Sequence, residues 1–162
     1  MDSNTESHRL AEWSNAIRES SLKRLRIVPE AHVNWRPTPE SMSFADLAHH
    51  LVEADVWLFE KLNTPDLAPM VGRAGAVGSV TPAGYQAILS HLQATGIERF
   101  GLIQSLTPER LSAAMPDARF GGAVSVWWVL VRGNLDHEVH HRGQVAAYLR
   151  FLSHEATKSA GA

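Results

Sequence analysis

Asn134-Leu-Asp-His137-Glu-Val-His140-His141-Arg142-Gly143-Gln144 is the stretch on which the reading of this chain turns. His137 and His141 are four apart, so on an α-helix they stand one above the other on a single face. That spacing lets one element give two imidazoles to one metal ion. The rest of the chain then reads as a scaffold that brings a third ligand to the pair.

The pattern around the stretch is helical from about residue 124 to 152, despite Gly133 and Gly143. With residues advancing by about 100° each, Leu130, Asn134, His141, Gln144, Tyr148 and Leu152 all fall close to the direction of His137. The apolar members of that set mark the core side, so His137 and His141 point inward with Gln144 below them. His140 lies at the edge of that face and Arg142 outside it. Glu138 is about 100° from His137 and points away.

Upstream, Thr81-Pro82 is a helix start, a hydroxyl cap followed by proline at the first helical position. A stripe from Tyr85 through Ile97 to Leu106 carries that helix over about 82–106. Ser43 with Asp46 three residues on resembles a capping box, and Phe44, Leu47, Leu51, Leu58 and Leu62 give a helix over about 43–62. Leu10, Trp13, Ile17, Leu25 and Val28 give the first, about 5–28, ended by Pro29. Between the second and third helices lie about 18 residues, 63–81, punctuated by Pro65, Pro69, Gly72, Gly75 and Gly78, a long crossover or functional lid. It could join two helices that do not run antiparallel. Residues 113–123 read as irregular chain, and no strand hairpin is expected. Four long helices without a repeat define an all-α, antiparallel-type four-helix bundle. It forms a single domain over 1–153, with a flexible tail over 154–162.

Composition narrows the function. The 162 residues suit one core, and a net charge of −2 gives no reason to expect nucleic acid or an acidic membrane surface. With no cysteine, a metal must sit on His, Asp or Glu, and any thiol chemistry must use a thiol brought by a substrate. The polar start lacks a signal-peptide pattern and no apolar run reaches membrane-spanning length, so a cytoplasmic protein is expected.

The second helix offers His49 and His50. His50 sits about 100° from the centre of the apolar stripe and His49 about 160°. If one of them reaches the interior, it is His50, and Trp57 shares its side. A His50/His137/His141 triad leaves open coordination positions, the catalytic rather than the structural pattern. Asp46 and Glu53 flank His50 at helical spacing, either orienting it or standing as solvated charges. Trp35, Trp127 and Trp128 are core residues by default. His8, His32, His49, His91 and His154 read as surface residues.

Three segments in order, Val28-Pro29-Glu30 with Trp35-Arg36-Pro37, Ser43-Phe-Ala-Asp-Leu-Ala-His49-His50-Leu51, and His137-Glu-Val-His140-His141-Arg142-Gly143-Gln144 with Tyr148-Leu149-Arg150, make nearly the full chain resemble the DinB-like family of four-helix-bundle metalloproteins. The resemblance implies a long crossover between helices two and three and a divalent metal, zinc or nickel. It places the ion on His50, His137 and His141, and it implies a homodimer. Through bacillithiol S-transferases and mycothiol-dependent maleylpyruvate isomerase, it implies a metal-dependent S-transferase that joins a small-molecule thiol to an electrophilic substrate. Water activated in place of the thiol would give a hydrolase. Gln144 or His140 could contact the substrate or a water on the ion. The alternatives are a non-catalytic metal or small-molecule binder of a stress response, and a helical dimerisation domain with structural histidines.

Overall fold

Local chemistry sets the helix starts. Ser43 Oγ accepts from the Asp46 N–H at 3.0 Å, and Asp46 Oδ2 accepts from the Ser43 N–H at 2.9 Å. This reciprocal box opens α2 (Phe44–Asn63). Thr81 accepts from the Gly84 N–H and Pro82 takes the first position of α3 (Pro82–Gln104). The structure, a computed structural model, describes residues 6–160. Its first helix, α1, spans Glu6–Leu25; position 5 of the expected range lies outside the described residues. A turn and a short 3-10 segment (Glu30–His32) replace the expected last turn before α2.

The C-terminal third departs from expectation. Thr107 caps a one-turn helix, α4 (Pro108–Ser112). Residues expected to be irregular then form a hairpin, with β1 (Ala114–Asp117) antiparallel to β2 (Gly122–Ser125). Its inward set is only Met115 and Asp117, too short an alternation to stand out in sequence. The last helical rod is also not uniform. It consists of α5 (Val126–Leu130), a π-helical turn (Val131–Leu135) and α6 (Asp136–Ala160). Its backbone stays helical to Ala160, beyond the expected end near 152.

Four long helices pack as a bundle. α1 lies against α3 and α6, while α2 lies against α3 and α6, so α1 and α2 are diagonal. One apolar half holds Leu22 and Leu25 of α1, Phe44 and Leu51 of α2, Tyr85 and Leu92 of α3, and Val145 and Tyr148 of α6. The other holds Leu10 and Ile17, Leu58 and Leu62, Ile103, and Val129 and Leu135. Read through these halves, α2 and α3 run parallel, as do α1 and α6. The antiparallel pairs are α1/α3 and α2/α6. A parallel α2/α3 pair forces the intervening chain back along a helix of 20 residues, roughly 30 Å, which is why the crossover is long. Trp13 and Ile97, expected in the apolar stripes, are instead 44% and 66% exposed.

Between the two apolar halves lies a buried polar belt. Arg18, Asp55, Arg99 and Glu138 are each no more than 3% exposed. Arg18 donates to both Glu138 oxygens at 2.9 and 2.8 Å and to Asp55 at 2.8 Å. Arg99 donates to Asp55 and Glu138 at 2.8 Å each, and to Ser14 and Asn134. Two cations and two anions cancel, and the forked guanidiniums satisfy the carboxylates, which is the condition for burying such charges. Burial alone would push the Glu138 carboxyl up, but Arg99 and Arg18 hold it down at about 2, from an ordinary 4.5.

Candidate metal centre

α2 supplies His50, and α6 supplies His137 and His141. The three come together beside the polar belt, one ligand atom from each lying within 4.8 Å of the others. His137 Nε2 is 3.1 Å from His50 Nε2 and 2.8 Å from His141 Nε2. His50 and His141 are buried, and His49 is turned partly to solvent. Of the two adjacent histidines of α2, it is His50 that is buried in the cluster.

Electrostatics keep these rings neutral. Burial, then the neighbouring His141 and His50, lower His137 to about 3. Burial lowers His141 to about 4, against a raising contribution from Gln144. Burial and His49 also lower His50. His141 Nδ1 lies 2.6 Å from Gln144 Oε1. Since that oxygen only accepts, Nδ1 carries the proton and the Nε2 lone pair faces the cluster. Three converging ring nitrogens cannot all be satisfied by protons shared among themselves. A divalent cation held by all three would accept their lone pairs together, so the residues present fit a metal ion.

No carboxylate closes the set. Among the described residues the three histidines form the one cluster able to hold a metal. Glu138 is turned into the polar belt, Asp136 pairs with Arg132, and His140 is exposed with its ring against His141. Asp46, considered as an orienting group for His50, does not serve it. Its carboxylate caps α2, accepts from the Gly75 and Val77 N–H groups of the crossover and pairs with Arg36. Burial would raise Asp46, but the hydrogen bonds from Ser43, Gly75 and Val77 prevail and lower it. Glu53 stops 3.8 Å from His50 Nδ1, beyond hydrogen-bond reach. Trp57 is buried and donates to the Ala68 carbonyl at 2.7 Å, tying the crossover to α2.

The crossover brings Gly72 against His50. A Cβ at Gly72 would stand 2.3 Å from His50 Cε1 and 2.4 Å from Nδ1. Only a residue without a side chain lets the strap lie flat on the imidazole. Beside this contact opens a cavity of about 440 Å³, lined by His50 and His137 together with Trp57, Met70, Arg119 and Phe120. Arg119 and Phe120 sit at the tip of the unexpected hairpin. The Gly121-Gly122 pair, a turn signal between two short extended runs, is what could have exposed them. The π turn beneath Arg119 is a feature frequent at functional sites and has no local sequence signature here.

A helical bundle with an inward three-histidine cluster open to a cavity defines a class of metal-site bundle proteins. The sequence matches the DinB superfamily over residues 15–145, and the chain belongs to that superfamily. Among solved structures it is similar to YfiT from Bacillus subtilis, described as a probable metal-dependent hydrolase with an unusual four-helix bundle topology (11% identity, TM-score 0.71, 94% of this chain and 92% of that one). It is also similar to the DinB-like protein YjoA of Bacillus subtilis (17% identity, TM-score 0.66, 90% and 92%). A conserved protein from Enterococcus faecalis is similar as well (17%, 0.61, 88% and 94%). At these identities the likeness concerns the fold. None of the curated proteins matches the sequence. No helix among the described residues is long and apolar enough to cross a membrane.

Proposed function

We propose that His50, His137 and His141 hold one divalent ion, zinc or nickel, through their Nε2 atoms, and that the protein is a metal-dependent S-transferase. The observation that carries this is the convergence of three imidazole Nε2 atoms at the wall of a cavity, with no fourth protein ligand among the described residues. Such an ion supplies Lewis acidity, lowering the pKa of a coordinated thiol or water so that it is nucleophilic at neutral pH. The chain's own residues fix the site. Gln144 orients His141 through Nδ1, the flat strap at Gly72 backs His50, and Glu138 anchors the helix turn of His137 in the polar belt. The thiol is a separate small molecule because the chain has no cysteine. The cavity wall of Trp57, Met70 and Phe120 suits an apolar electrophile. Water in the thiol's place gives a hydrolase, the activity ascribed to YfiT.

The test begins with metal content of untagged protein. One equivalent is expected in wild type and none in His137→Ala/His141→Ala; retention in the double variant refutes the site. A screen of bacillithiol, mycothiol, glutathione and coenzyme A against a generic electrophile then reads metal-dependent thiol loss. If metal is bound but no thiol is consumed and no ester is hydrolysed, the non-catalytic binding reading replaces the enzyme. The resemblance also supports a homodimer, checked by light scattering.

A further inference from the structure

Arg119 is the one cation that reaches into the cavity from the hairpin, and its setting is built. Its Nε and Nη2 donate to the two oxygens of Asp117 at 3.0 and 2.6 Å, and Nη1 donates to the Gly133 carbonyl at 3.1 Å. The guanidinium carbon lies 4.3 Å from the Trp57 ring centroid and 5.3 Å from that of Phe120. The space it fills is opened by Gly133 in the π turn, where a Cβ would come within 2.6 Å of Nη2. A guanidinium has five N–H donors, and these contacts use three of them. Two stay uncommitted on a planar group that lies over the Trp57 and Phe120 rings.

The remainder of the cavity has a matching character. Arg132 also lines it, no aspartate or glutamate does, and Met70, Val71 and Phe120 supply apolar wall. A clip that merely tied the hairpin to the π turn would need the three bonds to Asp117 and Gly133. It would not need a cavity position beside His137 and Trp57. A partly exposed arginine, oriented by Asp117 and with two donors left over, facing a partly apolar cavity whose lining holds no carboxylate, is an arrangement that can recognise an organic anion.

We propose that Arg119 is the anion-recognition residue of this cavity, and that the molecule taken there is a small organic acid with an apolar body, its carboxylate on Arg119. The inference deepens the reading above, since it rests on the same cavity, but it concerns the hairpin side and not the ion.

Calorimetric titration of the full chain with 3-phenylpropanoate and 3-phenylpropanamide tests it, once after chelation of metal and once after reloading with zinc. The acid is expected to bind at least about tenfold more tightly than the amide in both states, the scale of a charge-assisted hydrogen bond. That preference should vanish in Arg119→Gln. Absence of a preference in wild type, or its survival in Arg119→Gln, overturns the proposal. A preference confined to the zinc-loaded protein puts the anion on the metal, which also overturns it while leaving the metal reading intact. Failure of zinc to bind, with an Arg119-dependent preference in the chelated protein, removes the metal reading and supports this one. If Arg119→Gln does not fold, phenylglyoxal modification of wild type decides. The acid, and not the amide, should protect Arg119 in peptide mapping, and equal modification in both cases rejects the assignment.

Discussion

Replacing Glu138 by Gln removes one charge from the polar belt while keeping its shape. Arg18 and Arg99, both buried, are then left facing Asp55 alone, so the belt carries one uncompensated positive charge. Breaking a buried pair in this way costs about 3–5 kcal/mol. For a chain of this size each kcal/mol lowers the melting temperature by roughly 2–4 °C, so Glu138→Gln is expected to melt roughly 6–20 °C below wild type. The assay is thermal unfolding followed by circular dichroism, run with chelator so that any metal contributes nothing. A second variant checks the cause. Adding Arg18→Met to Glu138→Gln restores neutrality, with Arg99 against Asp55, and should recover part of the loss. The reasoning fails if the single variant costs less than about 1 kcal/mol, or if the double variant is less stable than the sum of its singles.

Gly72→Ala drives a methyl into the His50 ring. It should weaken zinc affinity by at least about tenfold in a chelator competition, with little change in the melting of metal-free protein. Gln144→Ala frees the His141 ring to turn and is expected to cost about 10–100-fold in metal affinity by the same assay. Because the Asp46 carboxyl titrates below its ordinary 3.8 when folded, its stabilisation is complete above that value and is lost as the pH falls through its lowered folded pKa. Asp46→Asn should therefore flatten the acid side of the stability profile and speed amide exchange at Gly75 and Val77, measured by hydrogen exchange. Unchanged exchange at both amides would show that Asp46 does not hold the crossover.

The helices of the bundle were legible because their ends are written in local chemistry. Ser43 with Asp46, and Thr81 with Pro82, need no tertiary partner to act as caps. His137 and His141 both lie in α6, after the π turn, where the rotation per residue is regular, and both turn toward His50. The hairpin was lost because four-residue strands carrying a proline and a glycine barely alternate, and Arg119 was lost with it. The polar belt left no local trace either. Arg18, Asp55, Arg99 and Glu138 each look like an ordinary helix charge until helices 37 to 120 residues apart are laid side by side. The misreading of Asp46 has a related cause. Its second set of partners, Gly75 and Val77, sits 29 and 31 residues downstream on a loop whose path no periodicity describes.

The span from Arg18 to Glu138 also bears on how the chain is made. Synthesis proceeds from the N-terminus, so Arg18, Asp55 and Arg99 are all in place before Glu138, the second carboxylate that balances the two arginines. Until α6 emerges, a three-helix intermediate would have to bury two guanidiniums against a single carboxylate, which holds its middle open to water. Contacts of such long sequence separation also slow folding. The nascent chain is therefore expected to wait, helical but loosely packed, and to lock only when its last segment docks. Ribosome-bound chains ending before Glu138 should remain protease-sensitive, whereas chains with all of α6 outside the exit tunnel should resist.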